Sequence, residues 1–259
     1  MKQTDMVTIA ILAKDKAHVL PLYLQLIENQ TYPASKIKLY IRTNNNNDNT
    51  AEILEQWIEK VKDWYSEIYY DSSDVAERVQ EYSPHEWNFI RFKVVGRLRQ
   101  ESVDWAKEKG THYFVVDCDN FVVPETIETL VKTGLPVVAP LLRNGDLPWH
   151  PYSNYHFIAD ENGYYKEVSL YHDILHHKVK GLIEVEVVHC TYFIRQEVLE
   201  YVNYDDGSGR FEYVIFSDVL RKWGIPQYLD NRRIYGKLTF ADTEEDFKAK
   251  NINVDNLAY

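Results

Sequence analysis

The sequence predicts an α/β protein with a mostly parallel sheet flanked by helices, and three observations carry that expectation. Strand-like and helix-like segments alternate between residues 7 and 142, the pattern of successive crossover units in a parallel sheet. The runs Val7 to Ala13 and Phe114 to Val116 are apolar on both faces, as strands covered by helices on each side must be. Chain breakers fall where the alternation needs them, at Tyr32-Pro33, through Asn44 to Asn49, and at Gly110.

In order, Val7 to Ala13 reads as a first strand, Val19 to Asn29 has helical spacing, and Lys36 to Thr43 alternates as a second strand. Asn49 or Thr50 can cap a helix whose apolar face is Ile53, Leu54, Trp57, Ile58, Val61 and Trp64. A third strand is expected near Glu67 to Tyr70, a polar excursion over 71–86, and a long helix from Trp87 to Lys109. The apolar run ending at Val116 is a fourth strand, Glu125 to Thr133 a helix opened by Pro124, and Val137 to Leu142 a fifth strand. The remainder is less regular. Asn162-Gly163 predicts a hairpin between Tyr155–Ala159 and Tyr164–Val168. Glu184 to Arg195 alternates like one strand, Tyr213 to Trp223 is helical up to Gly224, and Gln227 to Asp230 is a last strand.

A chain of 259 residues that is 45% hydrophobic can bury a full core. Its net charge of −11 argues against a nucleic-acid partner, because backbone binding needs a basic face. Any phosphate must then be met by local positive charge or by a metal. Twenty tyrosines and six tryptophans mostly fill the core, and some can serve sugars or bases. Cys118 and Cys190 sit in apolar stretches, so no disulfide framework is indicated. No signal-like or membrane-spanning run is present, and the expectation is an intracellular protein without a membrane partner.

The most informative motif is Asp117-Cys118-Asp119, at the carboxyl end of the fourth strand. Positions i and i+2 of a strand point the same way, and two carboxylates on one side suit a hard divalent cation, Mn²⁺ or Mg²⁺. A solvated turn is the bland alternative. Such a cation holds a phosphate ester, and ligands of parallel sheets gather beyond the strands' carboxyl ends. Ala13, Lys14, Asn44 and Asp48 fall at that edge and are donor-binding candidates, with Arg97 and Arg99 reaching from the long helix. Gly96 would let another backbone approach. His189 could complete a metal shell with Asp117 and Asp119, although a lone strand histidine is more often a core residue. For a general base, Asp218 near the start of a helix leads and Glu212 is its rival. The segment with Trp149 and Asn154 is placed to cover the open end of the sheet and meet an acceptor.

Together these motifs resemble the collagen hydroxylysine galactosyltransferases, in particular the first of their two glycosyltransferase modules, which has the nucleotide-sugar-binding GT-A fold. The similar stretches are Ile9 to Ala13 with Ala17 to Pro21, Asp48-Asn49-Thr50, Leu98-Arg99-Gln100, Phe114 to Asn120, Val137 to Pro140, Tyr152-Ser153-Asn154, Gly163 to Lys166, and Val188 to Ile194, in the same order over nearly the whole chain. The resemblance implies inverting transfer of a hexose from UDP-galactose or UDP-glucose to hydroxylysine of a collagen-like chain, with Mn²⁺ or Mg²⁺ on Asp117 and Asp119. It also implies one GT-A domain over 1–259, with a nucleotide-sugar-binding half at 1–142 and an acceptor-side half at 143–259. Transfer to a glycan, or a non-catalytic module that binds glycan or collagen, stays open. Relatives tend to show Phe-Asp-Asp where this chain has Phe211-Glu212-Tyr213, and no histidine follows His189. The animal enzymes' second module and secretory signals are not seen, which suggests a compact microbial or viral version.

Overall fold

The computed structural model describes residues 5–77, 88–145 and 152–258. The first half alternates as expected: β1 (Val7–Ala13), α1 (Leu20–Glu28), β2 (Ile37–Thr43), α2 (Thr50–Val61), β3 (Glu67–Asp71), α3 (Phe89–Glu108) and β4 (His112–Val116). A three-residue strand that the sequence reading missed, β5 (Asn120–Val122), follows before α4 (Thr126–Thr133). Capping differs in one place. The side chain of Asn49 makes no cap bond to α2, and Asp48 Oδ1 accepts from Thr50 N at 3.0 Å instead.

The expected fifth strand divides into β6 (Val137–Pro140) and β7 (Leu142–Asn144), which join different sheets. Then come β8 (Tyr155–His156), α5 (Ser169–Leu175), β9 (Leu182–Val185), β10 (Val187–Val188), β11 (Thr191–Ile194), α6 (Glu212–Lys222), β12 (Gln227–Asp230), β13 (Gly236–Leu238) and α7 (Glu244–Lys250). The single strand expected over Glu184 to Arg195 is therefore three short ones, each with its own partners. Cys190, at φ +62°, breaks the last two apart. The expected hairpin about Asn162-Gly163 is reduced to one antiparallel bridge, Ala159 to Tyr165.

Among the described residues the main sheet runs β3-β2-β1-β4-β11-β6-β12-β9. β11 is antiparallel to both its neighbours, and β9 is antiparallel to β12. Strands from both halves of the chain thus interleave in one sheet, because β11 and β12 enter beside β4 and β6. Side-chain alternation explains the two cores. Ile9, Ile11, Phe114 and Val116 face a layer containing α1, α2 and α4, whereas Ala10, Tyr113 and Val115 face α3 and α6. Each buried branched or aromatic side chain contributes about 1.5–3 kcal/mol, so both faces are well sealed.

Parallel pairing of β1 with β2 and β4 brings the ends of these strands to one edge, where 14–18, 44–49 and 117–119 emerge. Two glycines secure that edge. A Cβ on Gly96 of α3 would come within 3.0 Å of the Tyr204 carbonyl oxygen, so its absence lets the chain leading to α6 pack close. A Cβ on Gly236 would lie 1.9 Å from the Phe121 carbonyl, inside the β5–β13 ladder. Gly236→Ala is expected to cost about 2–3 kcal/mol, read as a lower urea midpoint. An unchanged midpoint would show that β5 and β13 separate at no cost.

Candidate active site

Asp117-Cys118-Asp119 forms a tight turn between β4 and β5, closed by Asn120 N donating to Asp117 O at 2.9 Å. The two carboxylates are therefore not stacked along a strand, as the alternation argument supposed, and each meets its own cation. Arg99 Nη2 donates to Asp117 Oδ1 at 2.8 Å, and Lys16 Nζ to Asp119 Oδ2 at 2.8 Å. Two other segments, at Cys190-Thr191 and at Thr239, clamp the turn. Asp117 N donates to Cys190 O at 3.0 Å, Thr239 N to Asp119 O at 3.0 Å, and Asn120 Nδ2 to Thr191 Oγ1 at 2.8 Å.

Arg99 also donates from Nε to Glu212 Oε1 at 3.3 Å, so one buried guanidinium joins α3, the turn and α6. Burial opposes its charge, but the carboxylates Asp117 and Glu212 outweigh that and raise it well above its ordinary value. Burial lifts the Asp117 carboxyl above its usual range; Arg99 opposes the rise and Asp119 adds to it. Burial likewise lifts Glu212 against the pull of Arg99. Lys16 is raised, because Asp119 outweighs the effect of its burial.

The donor set suits a hard divalent cation. Asp117 and Asp119 each keep one carboxylate oxygen without a hydrogen bond among the described residues, and Mg²⁺ or Mn²⁺ completes such a set with phosphate and water. No group of three His, Cys, Asp or Glu suited to a metal occurs among the described residues, so the expected set of Asp117, Asp119 and His189 is not formed. His189 is buried against aromatic rings, with Nδ1 2.9 Å from Cys190 Sγ.

The other candidates divide. Ala13 ends β1 at the site edge, while Lys14 is ion-paired with the adjacent Asp15. Asn44 is buried and donates to Asn45 Oδ1 at 2.9 Å. Asp48 holds the first two loops together by accepting from Ala17 N at 3.0 Å. Arg97, unlike Arg99, is exposed and pairs with Glu77 at 2.7 Å, so it is not brought to the turn. Asn154 is fully buried, accepting from Leu142 N at 3.0 Å and donating to Pro140 O at 2.8 Å and Thr191 O at 3.2 Å. It pins strands and has no group left for an acceptor. Trp149 lies outside the described residues. Asp218 pairs with Arg210 at 3.0 Å, Lys222 at 3.1 Å and Arg221 at 3.4 Å, and Arg210 and Lys222 outweigh burial to lower its pKa. It is bound up in its own helix and is not part of the Arg99 cluster.

Lys16 and Arg91 were not singled out from the sequence. Arg91 lies two helical turns before Arg99, and its charge is felt by Asp119, Asp242 and Glu212. That spacing on α3 was the available signal.

Comparison with solved structures defines the fold. Staphylococcus aureus TarS, solved in complex with UDP-GlcNAc, superposes with a TM-score of 0.59 at 12% identity, covering 93% of this chain and 60% of that one. The mannosyltransferase PcManGT from Pyrobaculum calidifontis, solved with GDP-Man and Mn²⁺, gives a TM-score of 0.54 at 15% identity over 90% of this chain and 56% of that one. The fold is that of GT-A glycosyltransferases.

The family model for glycosyltransferase family 25, N-terminal domain, matches residues 4–255, and the chain belongs to that family. It is 33% identical to human procollagen galactosyltransferase 2 over 246 residues, 91% of this chain and 39% of the relative. It is 31% identical to a glycosyltransferase 25 family member of Drosophila melanogaster, over 74% of this chain and 31% of the relative. The chain thus spans between three and four tenths of the length of these relatives.

Two stability predictions follow from the buried charges. Arg99→Leu strands two carboxylates and is expected to cost about 3–5 kcal/mol, measured by urea unfolding; a loss under about 1 kcal/mol would show the ion cluster to be dispensable. Burial lowers His156 from its ordinary 6.5 to about 4, so it stays neutral in the fold where the unfolded chain takes up a proton. Its contribution is intact above pH 6.5 and is lost as pH falls toward about 4. At about 1.4 kcal/mol per pH unit the loss reaches roughly 3 kcal/mol. His156→Phe is expected to flatten the acid limb of the urea midpoint against pH, and an unaltered limb would place the sensitivity elsewhere.

Proposed function

We propose that this chain transfers a hexose, galactose or glucose, from its UDP-sugar to a hydroxyl acceptor, with hydroxylysine of a collagen-like polypeptide as the favoured acceptor. The observation that carries this is the clamped Asp117–Asp119 turn at the carboxyl edge of β1, β2 and β4, with Lys16 and Arg99 on its two acids. The relatives' names point to galactose and procollagen, and the UDP-GlcNAc complex of TarS, a protein of the same fold, supports a nucleotide-sugar ligand. Asp117 and Asp119 would hold Mn²⁺ or Mg²⁺ by their unpaired oxygens. When bound, the ion would neutralise charge on the departing diphosphate.

Lys16 adds a fixed positive charge beside Asp119, and the loops at Ala13, Lys14, Asn44 and Asp48 form the wall for base and ribose. For the acceptor, Glu212 now supports the base role better than Asp218. Burial has lifted its affinity for a proton, one of its oxygens is unengaged, and it shares Arg99 with Asp117. In the transfer the acceptor O–H proton passes to the Glu212 carboxylate. The acceptor oxygen bonds to the anomeric carbon, the bond from that carbon to the phosphate oxygen breaks, and its electron pair leaves with UDP. Attack opposite the leaving group inverts the configuration.

The test is UDP release and transfer with Mn²⁺, a panel of nucleotide sugars, and a hydroxylysine-bearing collagen peptide. Release is expected from UDP-galactose or UDP-glucose and is lost in Asp119→Ala; full turnover in that variant would remove the metal role. Glu212→Gln is expected to lower kcat for transfer about 10²–10⁴-fold with UDP affinity nearly kept. Asp218→Asn is expected to retain activity, and the opposite ranking would return the base to Asp218. UDP binding without release or transfer would favour a non-catalytic module.

A further inference from the structure

Four buried side-chain atoms beside the acidic turn have no hydrogen-bond partner among the described residues: Arg99 Nη1, Glu212 Oε2, His189 Nε2 and His156 Nδ1. Six side-chain atoms in all are in this condition among the described residues, so most of them gather in one place. The residues are 5%, 4%, 1% and 7% exposed, too buried for bulk water to satisfy them. A buried polar atom left unpaired loses its hydration with nothing in return, and such atoms are rare in native proteins. Four together mark a position built for something else.

The cluster is contiguous. The His156 and His189 rings lie 5.2 Å apart and edge to face, Tyr213 is 4.9 Å from His189, and Tyr152 is 5.7 Å from it on another side. Arg99 is close enough for its charge to act on His189, and it links the cluster to Asp117. Short strand pairing fixes both histidines: His156 pairs with Val187 in the β8–β10 ladder, and His189 follows β10 directly. Half-buried Tyr152, Tyr213 and Asp117 form the side nearer solvent.

The chemistry of these atoms selects a ligand class. The Glu212 carboxylate repels a phosphate, and the Arg99 guanidinium repels an amine. A neutral polyol is compatible with both, because each hydroxyl donates and accepts. Burial holds both imidazoles in the neutral form, in which a ring nitrogen can take either part. The tyrosine rings add flat faces for the C–H side of a sugar.

We propose that His156 and His189, with Arg99, form the hydroxyl-reading floor of the hexose subsite, bordered by Glu212 on the acceptor side. The assignment rests on the UDP-hexose reading above and goes beyond it by naming residues that hold the sugar and not the nucleotide. The step from UDP to UDP-hexose is where these residues act, and discrimination between hexoses that differ at one hydroxyl is theirs to make.

The experiment is isothermal titration of UDP, UDP-galactose and UDP-glucose, each with Mn²⁺, into wild type, His156→Phe and His156→Gln, with folding checked by thermal unfolding. His156→Phe keeps a ring but removes both nitrogens. It is expected to weaken the preferred UDP-hexose at least tenfold, to narrow the galactose-to-glucose preference, and to change UDP affinity less than twofold. His156→Gln, which keeps a hydrogen-bonding group, is expected to lie between, and it decides the question if the Phe variant does not fold. UDP-hexose affinity at the wild-type level in the folded variant overturns the proposal, as does an equal loss for UDP and UDP-hexose. Wild-type protein that binds no UDP-hexose overturns the donor reading itself and the floor with it, a failure recognisable before any substitution is made.

Discussion

The buried charge of Arg99 is the constraint around which the site is built. A guanidinium with 5% exposure must be met by opposite charge, and it is met by two carboxylates from distant parts of the chain, Asp117 and Glu212. Such a cluster adds little net stability compared with an apolar packing, because desolvation consumes most of the Coulomb gain. What it supplies is position. α3, the acidic turn and α6 cannot slide past one another without stranding a charge. Gly96, one turn before Arg99 on α3, belongs to the same arrangement, since a side chain there would press on Tyr204 and on Glu212.

The antiparallel strand β11 does the corresponding work on the other side of the turn. Its first residue, Thr191, pairs with Val116, the last residue of β4. An antiparallel strand begins where its neighbour ends, so the chain entering β11 arrives at the edge where parallel strands present their ligands. That topology delivers His189 and Cys190 to the site. Cys190 takes a left-handed backbone conformation there and turns its carbonyl to the Asp117 amide. A strand inserted in the parallel sense would have carried these residues to the opposite end.

The sequence made part of this legible and hid the rest for identifiable reasons. Periodic segments were readable because local pattern and burial agree: β1, α6 and β12 stand within about a residue of their expected spans. β5 and β13, of three residues each, carry no period long enough to recognise, and they owe their existence to the small sheet β5-β13-β7. Glu184 to Arg195 alternates continuously, yet three different sets of partners cut it into β9, β10 and β11, and partners are not written locally. Among site residues, Asp117, Asp119 and Arg99 could be found by motif and spacing. Lys16 could not, because its value comes from Asp119, 103 residues away. Asn154 misled because a polar residue in a Tyr-rich segment reads as surface, whereas its amide is spent on backbone groups and on the Ser153 hydroxyl.

Charge balance bears on how a chain of net charge −11 would attract a nucleotide diphosphate, the donor class proposed above. At the turn, Asp117, Asp119 and Glu212 face Lys16 and Arg99, so two cations offset most of the charge of three carboxylates. The balance is incomplete, because burial and Asp119 together still raise the Asp117 carboxyl against the pull of Arg99. A divalent cation at the two unengaged oxygens would relieve that tension, and it would change a slightly acidic patch into a cationic one in a net-acidic protein. Selectivity for an anion would then follow from the ion rather than from the surface. Acids that seem ill suited to the proposed phosphate ligand would then be the reason that it could bind.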